Sequence, residues 1–464
     1  MSLALVTGAS GYIGAQLVPA LLEAGWEVRV LARTPGKLDA SWRDRVEVVQ
    51  GDATVPADLA RALAGVDVAY FLLHSMDGQG DYVARDRELA HAFASAAREA
   101  EVGRIVYLSG LHPENTPLSD HLGSRVEVGE ILLASGVPTA VLQAGVVLGD
   151  GSASFDMLRH LAERLPAAFG PKWLRNRIQP IAVDDVVFYL VRAASLPSEV
   201  NRAFDLGMDE VLTYAEMMDR YARVAGLGGR FVGTVPVLTP GLASHWVGLV
   251  TPVSSGIARP LVGSLINDAV KHSDDAADVL GVPEGGVTGF DEAVRRALAD
   301  VDPLRWRRVT RRVAGAVVAT AVVGSLLTSP DSSWYRVLRK PTWQPPAAAF
   351  PIAWTTLYGL IAVASASAIA DLGESGRDEE ASDFAKALGV NLVLNAAWSG
   401  VFFRGHALAA STVTAAALAA SSADLSRRGF AAGVGKGAAL APYAAWTTFA
   451  TALTASIWRL NRRR

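Results

Sequence analysis

The last third of the chain carries five apolar stretches in close succession, near 311–329, 349–371, 386–403, 406–424 and 437–458. Each approaches the roughly 20 residues that a helix needs to cross a bilayer. The links between them are short and polar, and five such runs in a row are unusual for a fold buried in water. The sequence therefore predicts an all-α five-helix transmembrane bundle over 309–464. Trp334, Tyr335, Trp343 and Trp458 stand near the predicted helix ends, where an interfacial aromatic belt would place them. Composition agrees: 51% of the chain is hydrophobic and only 19% charged. A net charge of −3 gives no basic field for nucleic acid. Cysteine is absent, which excludes disulfides, thiolate metal centres, iron–sulfur clusters and a cysteine nucleophile. No metal site is expected.

The front of the chain reads differently. Short apolar runs, LALVTGA, EVRVLAR, VEVVQGD, VDVAYFLLHS, RIVYLSG and PTAVLQAGVVLG, alternate with helical patterns up to about Gly149. Runs that are continuous rather than alternating mark strands covered on both faces, so the expectation is an α/β doubly wound parallel sheet. Residues 1–230 are assigned to this sheet domain and 231–305 to a helical, proline-broken lobe on its substrate side. The apolar run Val235–Leu265 is read as part of that lobe and not as a crossing, since prolines, His245 and Arg259 interrupt it. The start, Met1 to Gly8, lacks a basic leader and enters a strand directly, so no signal peptide is expected.

Directly after the first run comes Thr7-Gly8-Ala9-Ser10-Gly11-Tyr12-Ile13-Gly14. In a strand-to-helix turn these glycines have separate tasks: Gly8 permits the tight turn, Gly11 lets backbone approach a pyrophosphate, and Gly14 lets helix and strand close up. At the end of the second run Arg33 stands where an NAD-preferring site carries an acid, and a guanidinium there suits a 2′-phosphate. NADP(H) is expected over NAD(H); the other reading of Arg33 is a solvated strand end. Asp52 is placed either to accept from the adenine amine or to cap the next turn. Leu73 and His74 end the fourth run, and Ser109 ends the fifth, at the carboxyl edge where such sheets bind ligands. Asp184 and Asp185 are expected to cap a late helix.

Through GASGYIG, LAR, GD and YLSG, residues 1 to about 300 resemble an atypical short-chain dehydrogenase/reductase of the NmrA-like, NAD(P)-binding kind. That resemblance implies a Rossmann fold and a Tyr-x-x-x-Lys pair for proton delivery. In this chain the best-matching spacing is His121 to Arg125, in HLGSR, so neither residue is the family's own. A catalytic version would use His121 as general acid, Arg125 beside it and Ser109 to orient a carbonyl; the alternative for His121 is an exposed helix-start residue.

In the back half, Trp354 and Tyr358 fall four apart on one helix face, as do Trp446 and Ala450, while Asn395 and Trp398 are three apart. Indole faces with a few polar handles suit a planar hydrophobic ligand, and they equally suit helix packing. An asparagine in a bilayer needs a partner, whether helix or ligand. Residues from about 311 to 464 resemble the TspO/MBR family, the tryptophan-rich sensory proteins related to the translocator protein. The resemblance implies a five-helix membrane protein, often a homodimer, that binds porphyrins or other hydrophobic molecules. Its ligand-binding positions fall on Tyr335, Pro345, Trp354, Tyr358, Asn395, Trp398, Trp446 and Ala450.

If the first domain lies inside, ten Lys or Arg residues flank the inner helix ends and eight the outer ones, which barely orients the bundle. Nucleotide supply favours a cytoplasmic front domain on a multi-pass cell-membrane protein. Two functions follow: a membrane-anchored NADP(H) oxidoreductase joined to a porphyrin receptor, or a non-catalytic NADP(H) sensor that regulates ligand binding or transport by the bundle.

Overall fold

The computed structural model describes residues 2–74, 82–114, 116–165, 167–234, 251 and 255–462. It comprises two compact units, Met1–Pro303 and Leu304–Arg464. Most of the apolar run Val235–Leu265 lies outside the described residues, as does Ser75.

The front unit is built on seven strands: β1 (Leu3–Thr7), β2 (Glu27–Ala32), β3 (Glu47–Gln50), β4 (Val68–Phe71), β5 (Arg104–Gly110), β6 (Thr139–Ala144) and β7 (Arg202–Leu206). They lie in the order β7-β6-β5-β4-β1-β2-β3, and every pairing is parallel. The continuous apolar runs are explained by two cores: Ala4 and Val6 of β1 pack into one and Leu5 into the other. Each fully buried valine or leucine contributes about 1.5–3 kcal/mol. Strand order runs outward from β1 through β2 and β3, then resumes at β4 on the other side of β1. The crevice at the carboxyl ends of β1 and β4 is thus the topological switch point where open sheets hold ligands.

Helices that matter for the site are α1 (Tyr12–Glu23), α2 (Tyr82–Glu99), α3 (Asp120–Leu133), α4 (Ala153–Arg164), α5 (Val183–Ala193), α6 (Tyr214–Val224) and α7 (Phe290–Ala297). The expected capping by Asp184 and Asp185 is corrected here. Ala182 is the N-cap of α5 and makes no side-chain cap. Asp185 instead accepts from the Thr288 amide at 2.8 Å and its hydroxyl at 3.1 Å, and Asp184 meets Arg296 at 3.3 Å. Asp185 ties the segment leading into α7, and Asp184 ties α7 itself, to α5, a long-range task that a local motif does not reveal.

The back unit contains five long helices: α8 (Arg305–Leu327), α9 (Ala349–Glu374), α10 (Asp378–Ser399), α11 (Leu408–Ala432) and α12 (Val434–Asn461). A π-helical turn, Gly400–Arg404, extends α10. Four of the helices, the third taken through Arg404, are long and apolar enough to cross a membrane; α12 is not among those four. Its threonines lower its hydropathy, yet Thr447, Thr448, Thr451 and Thr454 each donate to the carbonyl four residues earlier.

Candidate functional site

Backbone conformation at the glycine turn leaves no choice of residue. Gly8 has φ of +75°, and a Cβ there would lie 2.7 Å from the Leu72 carbonyl oxygen. A Cβ on Gly14 would lie 2.3 Å from the Gly8 oxygen and 2.7 Å from Ala9 Cα. Gly11 is the N-cap of α1 and has no capping side chain, so this helix start is bare backbone with Ser10 and Gly11 exposed. Such a terminus, with free N–H groups and the positive end of the helix dipole, accommodates phosphate. Ile13 packs into the core below. Tyr12 lies against Gly149 and Gly151, and burial pushes its hydroxyl up to about 12.

Other expected cofactor residues divide by where their polar groups go. Thr7 is fully buried, and its hydroxyl donates to the Tyr70 carbonyl at 2.7 Å while accepting from the Leu72 amide at 3.3 Å. It stitches β1 to β4, so only its backbone is left to face a ligand. Asp52 accepts from the Thr54 amide and hydroxyl, both at 2.9 Å; these bonds, then the nearby Arg33 charge, hold its carboxyl below the usual range. Of its two expected roles, the turn accounts for one oxygen. Arg33 is exposed beyond β2. Leu73 and His74 follow β4, half-buried.

The three residues expected to be catalytic come together, in a different arrangement. Ser109 is 3% exposed and its hydroxyl donates to the Arg125 carbonyl at 3.4 Å, so it anchors α3 to β5 and does not present itself to a carbonyl. The Arg125 guanidinium donates back to the Leu108 carbonyl. His121 is 8% exposed and packs against His74 with the rings tilted and their centroids 4.8 Å apart. Burial, followed by the Arg125 charge, pushes the His121 imidazolium down to about 3. A general acid near neutral pH is therefore not what His121 supplies, because the ring is neutral there. Asp86 of α2, which sequence reading missed, is 5% exposed and lies 3.4 Å from His74 Nδ1. Gln143 and His112, also missed, meet at 3.1 Å at the ends of β6 and β5.

A stability test follows. The folded pKa of His121 lies below its unfolded value of about 6.5, so its contribution is present above that value and is lost as pH falls toward 3. Between pH 7 and pH 5, wild type should lose about 2 kcal/mol relative to His121→Asn, measured as the difference in unfolding free energy. A constant difference would show that the ring titrates normally.

In the back unit the asparagines bond to helices. Tyr358 donates to Asn395 Oδ1 at 2.9 Å, Asn395 Nδ2 to Tyr443 at 3.0 Å, and Tyr443 to Asn391 Oδ1 at 2.8 Å. Asn391 Nδ2 then reaches Ser421 at 3.2 Å and Ser422 at 3.1 Å. One polar chain thus crosses α9, α10, α12 and α11, and Asn395 is engaged by side chains of neighbouring helices. Trp354 lies tilted against Tyr358 at 5.4 Å and meets Tyr443 edge-on at 6.3 Å. A second aromatic group joins Tyr335 and Trp398 through Phe402 and Phe403. Phe350 meets Trp446 edge-on at 6.1 Å; Ala450 and Pro345 are half-buried. Among the described residues, Trp398 Nε1 and Gln344 Oε1 are buried without a hydrogen-bond partner, one donor and one acceptor.

The NAD(P)H-binding family model matches residues 8–139, and the TspO/MBR family model matches residues 313–459. The ceramide reductase of Caulobacter vibrioides is 31% identical over 310 residues, 62% of this chain and 92% of its own. The CrtK protein of Rhodobacter capsulatus is 34% identical over 147 residues, 31% of this chain and 89% of its own. The chain belongs to both families. Its front unit is an NAD(P)H-binding, reductase-like domain fused to a TspO-type helical domain. The fold of the front unit is also that of Citrobacter triphenylmethane reductase complexed with NADP(H), at TM-score 0.50 and 21% identity, covering 64% of this chain and all of that one.

Proposed function

We propose that this chain is a membrane-anchored, NADP(H)-dependent oxidoreductase whose TspO-type unit receives porphyrins or other planar hydrophobic ligands. The observation that carries the first half is the bare-backbone turn of Gly8, Gly11 and Gly14 at the switch point of the sheet. Bound there, NADP(H) would exchange a hydride with a substrate carbon. Thr7, Ser10, Tyr12 and Ile13 belong to the same turn, Arg33 would hold the 2′-phosphate, and Asp52, Leu73 and His74 would flank the nucleotide. The similarity to a ceramide reductase over 92% of that protein makes the ketone counterpart of ceramide's secondary alcohol the first substrate to try. Such a lipid reaches a membrane-anchored enzyme through the bilayer. Loss of NADPH absorbance on adding that ketone to the reconstituted protein tests the reading, and no consumption would sink it.

Arg33 gives a separate test. A charge-assisted pair is worth about 1.5–3 kcal/mol, so Arg33→Ser should raise the NADPH dissociation constant roughly 10- to 100-fold and leave NADH unchanged. An equal effect on both nucleotides would remove the proposed preference.

For the back unit, the reading has five crossings, with α12 as the fifth: hydroxyls bonded to their own helix no longer need water. The front domain is assigned to the cytoplasmic side and the helical unit to a homodimer. The half-buried aromatic faces, with the unpartnered Trp398 and Gln344 atoms beside them, support a planar ligand with a polar edge, held by Tyr335, Pro345, Trp354, Tyr358, Asn395, Trp398, Trp446 and Ala450. The neutral His121 favours a second reading, an NADP(H) sensor without chemistry. In that case NADPH and protoporphyrin must change each other's affinity by the same factor, and independent binding would exclude it.

A further inference from the structure

The pairing of His74 with a buried carboxylate at the switch point has no part in the glycine turn, and the Tyr-x-x-x-Lys positions leave proton delivery unassigned. We propose that Asp86 and His74 form the proton-handling pair of the front unit, with His74 Nε2 as the atom that meets the substrate oxygen. This rests on the oxidoreductase reading above.

His74 stands two residues beyond Leu72, whose carbonyl packs against the glycine turn, so the ring is at the same sheet edge as the nucleotide cradle. Its Nδ1 lies 3.4 Å from Asp86 Oδ2, and Ser124 donates to that same oxygen at 3.5 Å. A carboxylate facing Nδ1 fixes the neutral tautomer with hydrogen on Nδ1 and a lone pair on Nε2. That Nε2 is buried and has no partner among the described residues. Leaving a buried acceptor unsatisfied is unfavourable, and a substrate hydroxyl would satisfy this one. His121 closes the other side of the ring at 4.8 Å. The titratable and charged groups around the pair are Tyr82 on α2, His121 and Arg125 on α3, and Tyr107 on β5. Burial lowers the affinity of His74 for a proton, and the Asp86 carboxylate opposite Nδ1 partly restores it.

In the oxidising direction His74 Nε2 would take the hydroxyl proton of an alcohol while its C–H hydride left for the bound nucleotide. The carbonyl forms, and the imidazolium stays opposite Asp86. In the reducing direction the same imidazolium would return its proton to the oxygen, the hydride being what a bound NADPH would supply to carbon. Hydride and proton together account for both hydrogens added across the carbonyl. His121, being neutral, is a packing and orienting neighbour here rather than the acid.

The full chain in lipid nanodiscs is assayed with a short-acyl ceramide plus NADP and, in reverse, with its ketone plus NADPH. His74→Gln should lower turnover at saturating NADPH roughly 100-fold or more. Asp86→Asn should lower the reducing rate at neutral pH at least tenfold and move the falling limb of its pH profile to lower pH, because the imidazolium loses its carboxylate. Nitrogen-labelled histidine spectra should place the His74 hydrogen on Nδ1 in wild type and show a change in Asp86→Asn. Turnover of His74→Gln within threefold of wild type, or hydrogen on Nε2, overturns the pair and leaves the oxidoreductase reading standing. Wild type that binds NADPH without turning over either probe refutes the reading and the pair together.

Discussion

Gly14→Val is expected to weaken nucleotide binding roughly 100-fold while leaving the front unit folded. Any Cβ at this position lies within 2.3 Å of one backbone oxygen and 2.7 Å of a backbone Cα, so relief requires moving the turn itself. Overpacking of this kind typically costs about 1–3 kcal/mol and sometimes more. Because the displaced atoms are those that would face the pyrophosphate, most of the cost falls on the nucleotide-bound state. The NADPH dissociation constant should rise roughly 100-fold, measured by fluorescence titration of the full chain. Circular dichroism on the same sample should still show the folded spectrum. Binding within threefold of wild type would mean that the nucleotide does not touch this turn.

Tyr443→Phe should destabilise the helical unit more than any other single hydroxyl removal in it. The Tyr443 hydroxyl accepts from Asn395 and donates to Asn391, so its loss strands a donor on one asparagine and an acceptor on the other. Both asparagines are buried. Hydrogen bonds between membrane helices average about 0.6 and reach about 1.7 kcal/mol each, which puts the combined loss at roughly 1–3 kcal/mol. Tyr358→Phe ends the same chain and strands only the Asn395 oxygen, so its effect should be about half as large. Thermal unfolding in one detergent orders the two variants. Equal or reversed effects would show that the chain does not hold the helices in register.

Much of the architecture was legible because it is local. Continuous apolar runs predicted six of the seven strands, since both faces of the sheet are covered. β7 was missed: Arg202-Ala203-Phe204-Asp205-Leu206 is short, and its Asp205 accepts from the His272 amide at 2.7 Å, a partner remote in sequence. The apolar stretches located the long helices but misjudged their ends. The helix expected from 311 begins at Arg305, and the one expected from 386 begins at Asp378. Hydropathy marks the part that seeks lipid, whereas arginine and glutamate continue a helix readily beyond it.

Site chemistry was less legible because it depends on burial. The four-residue spacing of His121 and Arg125 is visible in the sequence, but the neutral state of the ring follows from its surroundings. Asp86 reads as one more acid on a polar helix until α2 is packed against β4 and α3. Tyr443 follows Pro442 in an unremarkable run, and its place in the polar chain requires two other helices. By contrast, the glycine turn was readable residue by residue, since φ and close approach are properties of backbone.

The most direct test of the account is NADPH consumption by the full chain in lipid, followed optically as the ketone counterpart of a ceramide is added and the lipid product is identified by mass. The account predicts one alcohol formed per NADPH consumed, and a far lower rate in Gly14→Val at the same subsaturating NADPH concentration. Saturable NADPH binding in wild type with no alcohol formed would contradict it and leave a nucleotide sensor in its place.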